Sequence, residues 1–420
     1  MEGGGMTLDL QRYKGGAGSP GDVRHFVNGA ALPVLDLQGQ EWVRAGTLRA
    51  YSAGLHSELA ALMPGLCVKA LPAPAALPSS WAGYAALHRI GSNYLYVNGN
   101  QSSSNNWDRV DYGGDLVSWS SANTGDLQGI RGSAVINNRV VVAGVSSGAT
   151  GLKSFDSSGA RTDMSGALQS MRHIASSGAL LVAAGSGAAT TDAIYTSANG
   201  TTVSNTAGSG GGNFTLRGMH WSPAAAAFLY IGATQINKTT NGHAQTACTL
   251  PAGVAFPDDD YGLQRYCASS ATATLIVLVN GNLLRTTDGV TFTVVNINGA
   301  AVQCQIIHDG ARFVIAINGG GTARPAFLYS DDDGLTWQMS WAFEDTARAA
   351  HSQWINAHMS YVNSKLLVAS GSGSDLTPGA LYDITGLIGV APDYVGTMRA
   401  HVDVGSSAQN LGLTIYVRTK

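Results

Sequence analysis

Between residues 76 and 390 the apolar residues gather into short runs that end in glycine or a small polar residue. Examples are Val140-Val141-Val142-Ala143-Gly144, Leu180-Leu181-Val182-Ala183-Ala184-Gly185, Phe228-Leu229-Tyr230-Ile231-Gly232 and Leu275-Ile276-Val277-Leu278, then Phe313-Val314-Ile315-Ala316 and Leu366-Leu367-Val368-Ala369. An earlier run is Tyr94-Leu95-Tyr96-Val97-Asn98-Gly99. Continuous apolar runs of this length, with no polar alternation, predict strands covered on both faces. Most are preceded by an apolar residue and a glutamine, as in Leu127-Gln128-Gly129-Ile130-Arg131, Leu168-Gln169-Ser170-Met171-Arg172 and Leu263-Gln264-Arg265-Tyr266-Cys267. Arginine takes the glutamine's place in Leu216-Arg217-Gly218-Met219-His220. That position falls at 128, 169, 217, 264, 303 and 353.

A second phrase follows each strand pair. Its fullest form is Ser330-Asp331-Asp332-Asp333-Gly334-Leu335-Thr336-Trp337, with reduced forms at Thr286–Phe292, Thr196–Thr202, Thr239–Gly242 and Asp156–Gly159. In Asp115-Leu116-Val117-Ser118-Trp119 a leucine replaces the glycine, and Tyr382-Asp383-Ile384-Thr385-Gly386 is the most degraded copy. Both phrases share one period of about 40–50 residues, the length of a four-stranded sheet unit. The pattern predicts an all-β chain forming a β-propeller of about seven blades over 76–390, with six and eight still within the tolerance of the spacing. The second phrase resembles the Asp-box of sialidase-type propellers. Its Asp holds a hairpin through backbone N–H groups, its Gly supplies a positive φ and its Trp packs as a wedge.

Composition narrows the class. The 54 glycines and only 12% charged residues in 420 exclude disorder driven by charge. Four glutamates against twenty-three aspartates, and six lysines against eighteen arginines, favour turns over helices. A net charge of −3 offers no basic field for nucleic acid or anionic lipid, and no apolar run approaches the roughly 20 residues of a membrane span. The opening Met1-Glu2-Gly3-Gly4-Gly5-Met6 predicts no export signal. Cys67, Cys248, Cys267 and Cys304 lack metal-ligand or framework spacing and read as buried free thiols.

The ends of the chain do not carry the repeat. Segment 1–75 contains Trp42-Val43-Arg44-Ala45-Gly46-Thr47-Leu48, and Leu55, Leu59 and Leu62 mark one face of a short helix stopped by Pro64. A Pro/Ala joint follows at 71–78, and segment 391–420 closes with Ile415-Tyr416-Val417-Arg418-Thr419-Lys420. The order of a W-x-R-x-G-T-L strand, a Y-S helix, Asp-box repeats, Pro392-Asp393-Tyr394-Val395-Gly396 and a Y-V-R tail resembles bacteriophage tail and tail-fibre proteins.

Candidate chemistry is sparse. The resemblance to sialidases implies an Arg triad, a Tyr nucleophile paired with Glu and an Asp acid/base. This chain offers Arg89-Ile90-Gly91 without the family's proline, and Glu344 alone among glutamates of the propeller. The runs Asp258-Asp259-Asp260 and Asp331-Asp332-Asp333 read as turn acids or an incidental calcium contact rather than the spaced pair that glycoside hydrolysis needs. His220, His351 and His358 match no metal-ligand spacing, and Gly319-Gly320-Gly321 lacks the helix and lysine of a phosphate loop. Trp107, Trp119, Trp337, Trp341 and Trp354 read as packing between blades before they read as a sugar cleft. No catalytic, cofactor-binding or metal-binding residue is assigned, and no cofactor is expected.

The resemblance implies a non-enzymatic virion component of the phage tail, made in the host cytoplasm. Its partners would be other tail proteins, further copies in three- or six-fold assemblies, and a host cell-surface glycan, with no nucleic acid and no membrane insertion. Loops 102–106 and 208–212 are candidates for partner contact. A second reading is a glycan-binding or glycan-degrading enzyme on the same propeller, and a third is an assembly-factor propeller of a bacterial cell.

Overall fold

The computed structural model describes residues 23–27, 42–49, 67–71, 83–100, 108–146, 150–165, 170–185, 193–205, 216–257, 263–297, 305–317, 326–341, 343–344, 358–369, 381–385, 388 and 412–418. Two compact units divide the chain, Met1–Pro64 with Val390–Lys420, and Gly65–Gly389.

In the larger unit, hairpin follows hairpin. Six four-stranded antiparallel sheets run in sequence order, and we name them blades 1 to 6, beginning at Gly83, Leu127, His173, Gly218, Cys267 and Ile306. Blade 7 takes His358–Val362, Lys365–Ala369 and Leu381–Asp383 from the end of the repeat. Its fourth strand, Cys67–Leu71, arrives from the other end of the chain and pairs antiparallel with Leu381–Asp383. This strand lies before the 75/76 division drawn from the repeat, yet it is a blade strand. Phe343–Glu344 adds a short parallel edge to it.

The first strand of each blade packs beside the first strands of its neighbours, and His358–Val362 meets Gly83–Ile90 to close the circle. The all-β propeller expected from the repeat is therefore present, with seven blades. Leu263–Tyr266 forms a 3-10 turn just before blade 5. The helix expected around Leu55–Leu62 lies outside the described residues.

Because every blade buries both faces, the hydrophobic core is a series of clusters between blades rather than one centre. Ile90, Val97, Val140 and Phe155 join blades 1 and 2. Ile136, Val141, Ile174 and Tyr195 join blades 2 and 3, and Val182, Met219 and Phe228 join 3 and 4. A larger cluster runs from Leu229 through Ile276 to Phe313 over blades 4 to 6. Phe327 and Val368 link 6 to 7, while Leu87, Tyr96, Val362 and Leu367 seal 7 against 1. The second strands are buried along their length, as in Leu181–Gly185 and Ala227–Ile231, which explains their unbroken apolar sequence.

The smaller unit joins the chain's ends. Val23–Val27 and Trp42–Arg49 flank Gly412–Arg418 in one antiparallel sheet, with Val23 opposite Val417 and Trp42 opposite Arg418. A bulge between Arg44 and Gly46 shifts the register in mid-strand.

Candidate functional site

In an antiparallel blade the turns between strands 1 and 2 and between strands 3 and 4 lie at one end, so every Asp-box shares a face with the first hairpins. That face is spent on holding blades together. In blade 6 the Asp332 carboxylate accepts from the Leu335 and Thr336 amides at 3.1 and 2.8 Å, and Ser330 Oγ accepts from the Gly334 amide at 2.9 Å. The same geometry recurs at Asp288 with the Val290 and Thr291 amides, and at Asn199 with those of Thr201 and Thr202. Asp115 accepts from Val117 and Ser118 in blade 1, where the box has no glycine. These backbone bonds hold the Asp115 and Asp288 carboxyls below their usual range.

Adjacent blades are tied at this face by one recurring contact. The first turn of a blade bonds the box turn of the next: Asn93 Nδ2 donates to the Ser157 carbonyl at 2.7 Å, and Asn137 Nδ2 to that of Ala198 at 2.6 Å. In blades 5 and 6, Ser270 and Thr272 donate their hydroxyls to Asp333 at 2.8 and 2.5 Å, and Arg285 Nε donates to the Asp333 carbonyl at 2.8 Å. The box glycine sits inside the same contact. At Gly334 φ is +83°, and a Cβ there would lie 2.5 Å from Leu275 of blade 5. Leu116, in the glycine-free box, is instead buried against blade 7.

Several sequence candidates are thereby accounted for. Asp332 and Asp333 are a hairpin ligand and an inter-blade tie, and Asp331 is exposed beside them. Arg89 bonds Asn363 of blade 7 and lies 6.0 Å over the Tyr94 ring, which ties blade 1 to blade 7. Trp337 donates Nε1 to the Gly334 carbonyl at 3.1 Å and packs on the blade 4 to 6 core. Trp119 meets Tyr96 edge-on at 6.2 Å. His220 bonds Ser269 of blade 5 at 2.7 Å. Cys267 is buried and free, Cys248 is free and half-buried, and burial pushes the Cys248 thiol up to about 11. Asp258–Asp260, Trp107, Cys304, Gly319–Gly321, His351 and Trp354 lie outside the described residues, as do the side chains of Cys67, Trp341, Glu344 and His358.

The opposite face carries the starts of the innermost strands, the joints between strands 2 and 3 and the passages from blade to blade. Loops 102–106 and 208–212 lie outside the described residues. Arg131 lies within the innermost strand of blade 2, and Arg172, Arg217 and Arg265 stand just before the innermost strands of blades 3 to 5. Arg217 donates Nη1 to the Phe256 carbonyl at 2.6 Å. Arg265 lies over the Tyr266 ring at 4.9 Å and donates to its hydroxyl. His173 is buried, and burial, then the charge of Arg172 and then that of Arg131, push its basicity down to about 3. Sequence reading passed over these arginines. The signal was there in Ile130-Arg131 and Met171-Arg172, a buried apolar residue followed by arginine in consecutive copies.

Elsewhere on blade 2, Lys153 is buried with Nζ 2.8 Å from Asp126 and 3.2 Å from Asp163. Bonds from Lys153 and Ser146 hold Asp126 down at about 2. Among the described residues no three His, Cys, Asp or Glu side chains form a group able to hold a metal ion, and no helix is long and apolar enough to cross a membrane.

The sequence matches no known family and no curated protein. Solved structures do resemble it. A streptogramin B lyase superposes with a TM-score of 0.51 at 10% identity, covering 75% of this chain and 96% of the other. Virginiamycin B lyase from Staphylococcus aureus gives 0.49 at 8% identity over 75% and 98%. YCF48 from Cyanidioschyzon merolae gives 0.47 at 14% identity over 76% and 98%. At 10% identity the likeness to the streptogramin B lyase bears on the fold alone and leaves the activity open.

Proposed function

We propose that this chain is a structural component of a bacteriophage tail, with the terminal unit as its docking element and the propeller as a contact module. The observation that supports this reading is the terminal sheet. The W-x-R-x-G-T-L segment forms strand Trp42–Arg49, and the closing Y-V-R segment forms strand Gly412–Arg418 paired with it. The two ends that resemble tail proteins thus make one small unit apart from the propeller. Binding, not catalysis, is the mechanism: the Asp-box face is committed to joining blades, so contact with a host-surface glycan falls to the opposite face and its long connections. Homo-oligomers of three- or six-fold order are expected on the particle.

Quantitative mass spectrometry on density-purified virus particles tests the reading. A fixed copy number, a multiple of three or six relative to the major capsid protein, is the expected result. Absence of the chain from particles that carry every other tail component overturns it.

A further inference from the structure

Two of the seven boxes carry asparagine where the others carry aspartate. Asn199 of blade 3 and Asn241 of blade 4 stand in the place of Asp115, Asp156, Asp288, Asp332 and Asp383, and each is followed directly by the box glycine. In blade 4 the side-chain carbonyl is polarised from three sides. Asn241 Oδ1 accepts from the His243 and Ala244 amides at 2.9 and 3.2 Å and from the Thr239 hydroxyl at 3.2 Å. The turn closed by the His243 bond runs through Asn241 Cγ and the Gly242 nitrogen, the electrophile and nucleophile of succinimide formation. Attack by that nitrogen puts negative charge on Oδ1, where the three donors stand.

The two asparagine boxes differ at the nucleophile. The Gly200 amide donates to the Ser197 hydroxyl at 2.9 Å, as Gly289 does to Thr286 and Gly334 to Ser330. Thr239 holds the matching place in blade 4, yet among the described residues the Gly242 amide has no acceptor. Asn199 and Asn241 are both exposed, so access of water does not separate them. A third exposed pair is Asn280-Gly281, whose glycine amide donates to the Leu278 carbonyl at 2.9 Å. Nor can blade 4 slow the reaction with a bulkier residue at 242, because φ there is +85° and a Cβ would lie 2.7 Å from Thr196 of blade 3.

We propose that Asn241 is a self-modification site, deamidated through a succinimide formed with Gly242, and that Asn199 and Asn280 are held back by the bond on the following amide. Gly242 N gives its proton to solvent base and forms a bond to Asn241 Cγ. The Cγ–Nδ2 bond breaks, and Nδ2 takes up a proton and leaves as ammonia. Water then opens the ring, at Cγ to give aspartate or at the backbone carbonyl to give isoaspartate. Overall, water enters, ammonia leaves and nothing is oxidised or reduced. The aspartate product restores the carboxylate that Asp288 and Asp332 offer to the same turn amides. This site does not rest on the tail reading.

Incubation of the full chain in mildly alkaline buffer, followed by proteolysis and mass spectrometry, tests the proposal. The mass gain of amide-to-acid conversion should appear at Asn241 at least tenfold faster than at Asn199 or Asn280. Native isoelectric focusing should show a more acidic form growing at the same rate. In denaturant, where the turns are lost, the advantage of Asn241 should disappear. Ser197→Ala removes the acceptor of the Gly200 amide and should raise conversion at Asn199 toward the rate at Asn241. If that variant fails to fold, the ratio of Asn241 to Asn199 in native against denatured wild type decides alone. A native ratio less than tenfold above the denatured one overturns the proposal. So does an unchanged Asn199 rate in folded Ser197→Ala.

Discussion

The imidazole of His220 on blade 4 is hydrogen-bonded through Nε2 to the hydroxyl of Ser269 on blade 5 at 2.7 Å. Ser269 also bonds Thr274, which donates to Ser222 back on blade 4, so a short hydroxyl chain crosses the junction twice. His88 makes the matching contact to Ser133 between blades 1 and 2 at 2.6 Å. Neutral histidines therefore serve as inter-blade ties.

Acid should loosen the ring before it titrates the carboxylates. Burial lowers His88 and His220 to about 4 and His173 to about 3, against 6.5 in the unfolded chain. Between those limits the unfolded state binds more protons than the native state, so unfolding free energy rises with pH. The stability is fully present above pH 6.5 and is lost as pH falls toward 4. Each histidine contributes at most about 1.4 kcal/mol per pH unit in that window, less for the partly exposed His88 and His220. Urea denaturation from pH 7 to 4.5 should show this slope, and His173→Gln should reduce it. A flat profile across the window would show that the three rings protonate in the native state.

Within the triple-aspartate run the three positions should behave differently. Asp332→Ala removes the acceptor of two backbone amides and the Ser330 and Thr336 hydroxyls, and should cost about 1–2 kcal/mol. Asp333→Ala cuts the tie to Ser270 and Thr272 and should weaken the blade 5–6 junction. Asp331→Ala should leave the melting midpoint unchanged. Equal losses at all three would point to a shared role, such as cation binding, in place of the hairpin.

The blades were legible in the sequence because each closes on itself through local hairpins, so two phrases such as Leu127–Arg131 and Asp156–Gly159 repeat in phase. Cys67–Leu71 was not, because a single strand paired with Leu381–Asp383, some three hundred residues away, carries no periodic context. The pairing of Trp42–Arg49 with Gly412–Arg418 was hidden for the same reason. The box glycines show a partial success. A positive φ at Gly334 follows from turn chemistry, but its approach to Leu275 belongs to the packing of two blades. Arg131 and Arg172 were visible as residues, whereas the action of both charges on the buried His173 exists only once blades 2 and 3 pack together.

Two glycines with similar backbone demands separate turn strain from packing. Gly91 has φ +57° with nothing within 4 Å of a Cβ, so Gly91→Ala should cost only the left-handed strain of about 1–2 kcal/mol. Gly334→Ala adds a clash with Leu275, which is fully buried in the blade 4 to 6 core and cannot retreat. Its loss should exceed that of Gly91→Ala by at least about 1 kcal/mol. Thermal melts of the two single variants make the comparison, and equal losses would mean the junction yields.

Closure makes the last prediction, because blade 7 is the one sheet built from both ends of the larger unit. Without Cys67–Leu71, the strand Leu381–Asp383 becomes an open edge, with Lys69, Ala70 and Leu71 no longer opposite Asp383, Tyr382 and Leu381. An unpaired edge and a three-stranded blade lower the local barrier to opening at the 7–1 seam, where Leu87, Tyr96, Val362 and Leu367 meet. Removing residues 1–72 should therefore speed hydrogen exchange at the Lys365–Ala369 amides by at least tenfold. Exchange in blades 3 and 4, on the far side of the ring, should change much less. A uniform increase over all seven blades would mean that the ring opens only as a whole, and that the closing strand sets global rather than local stability.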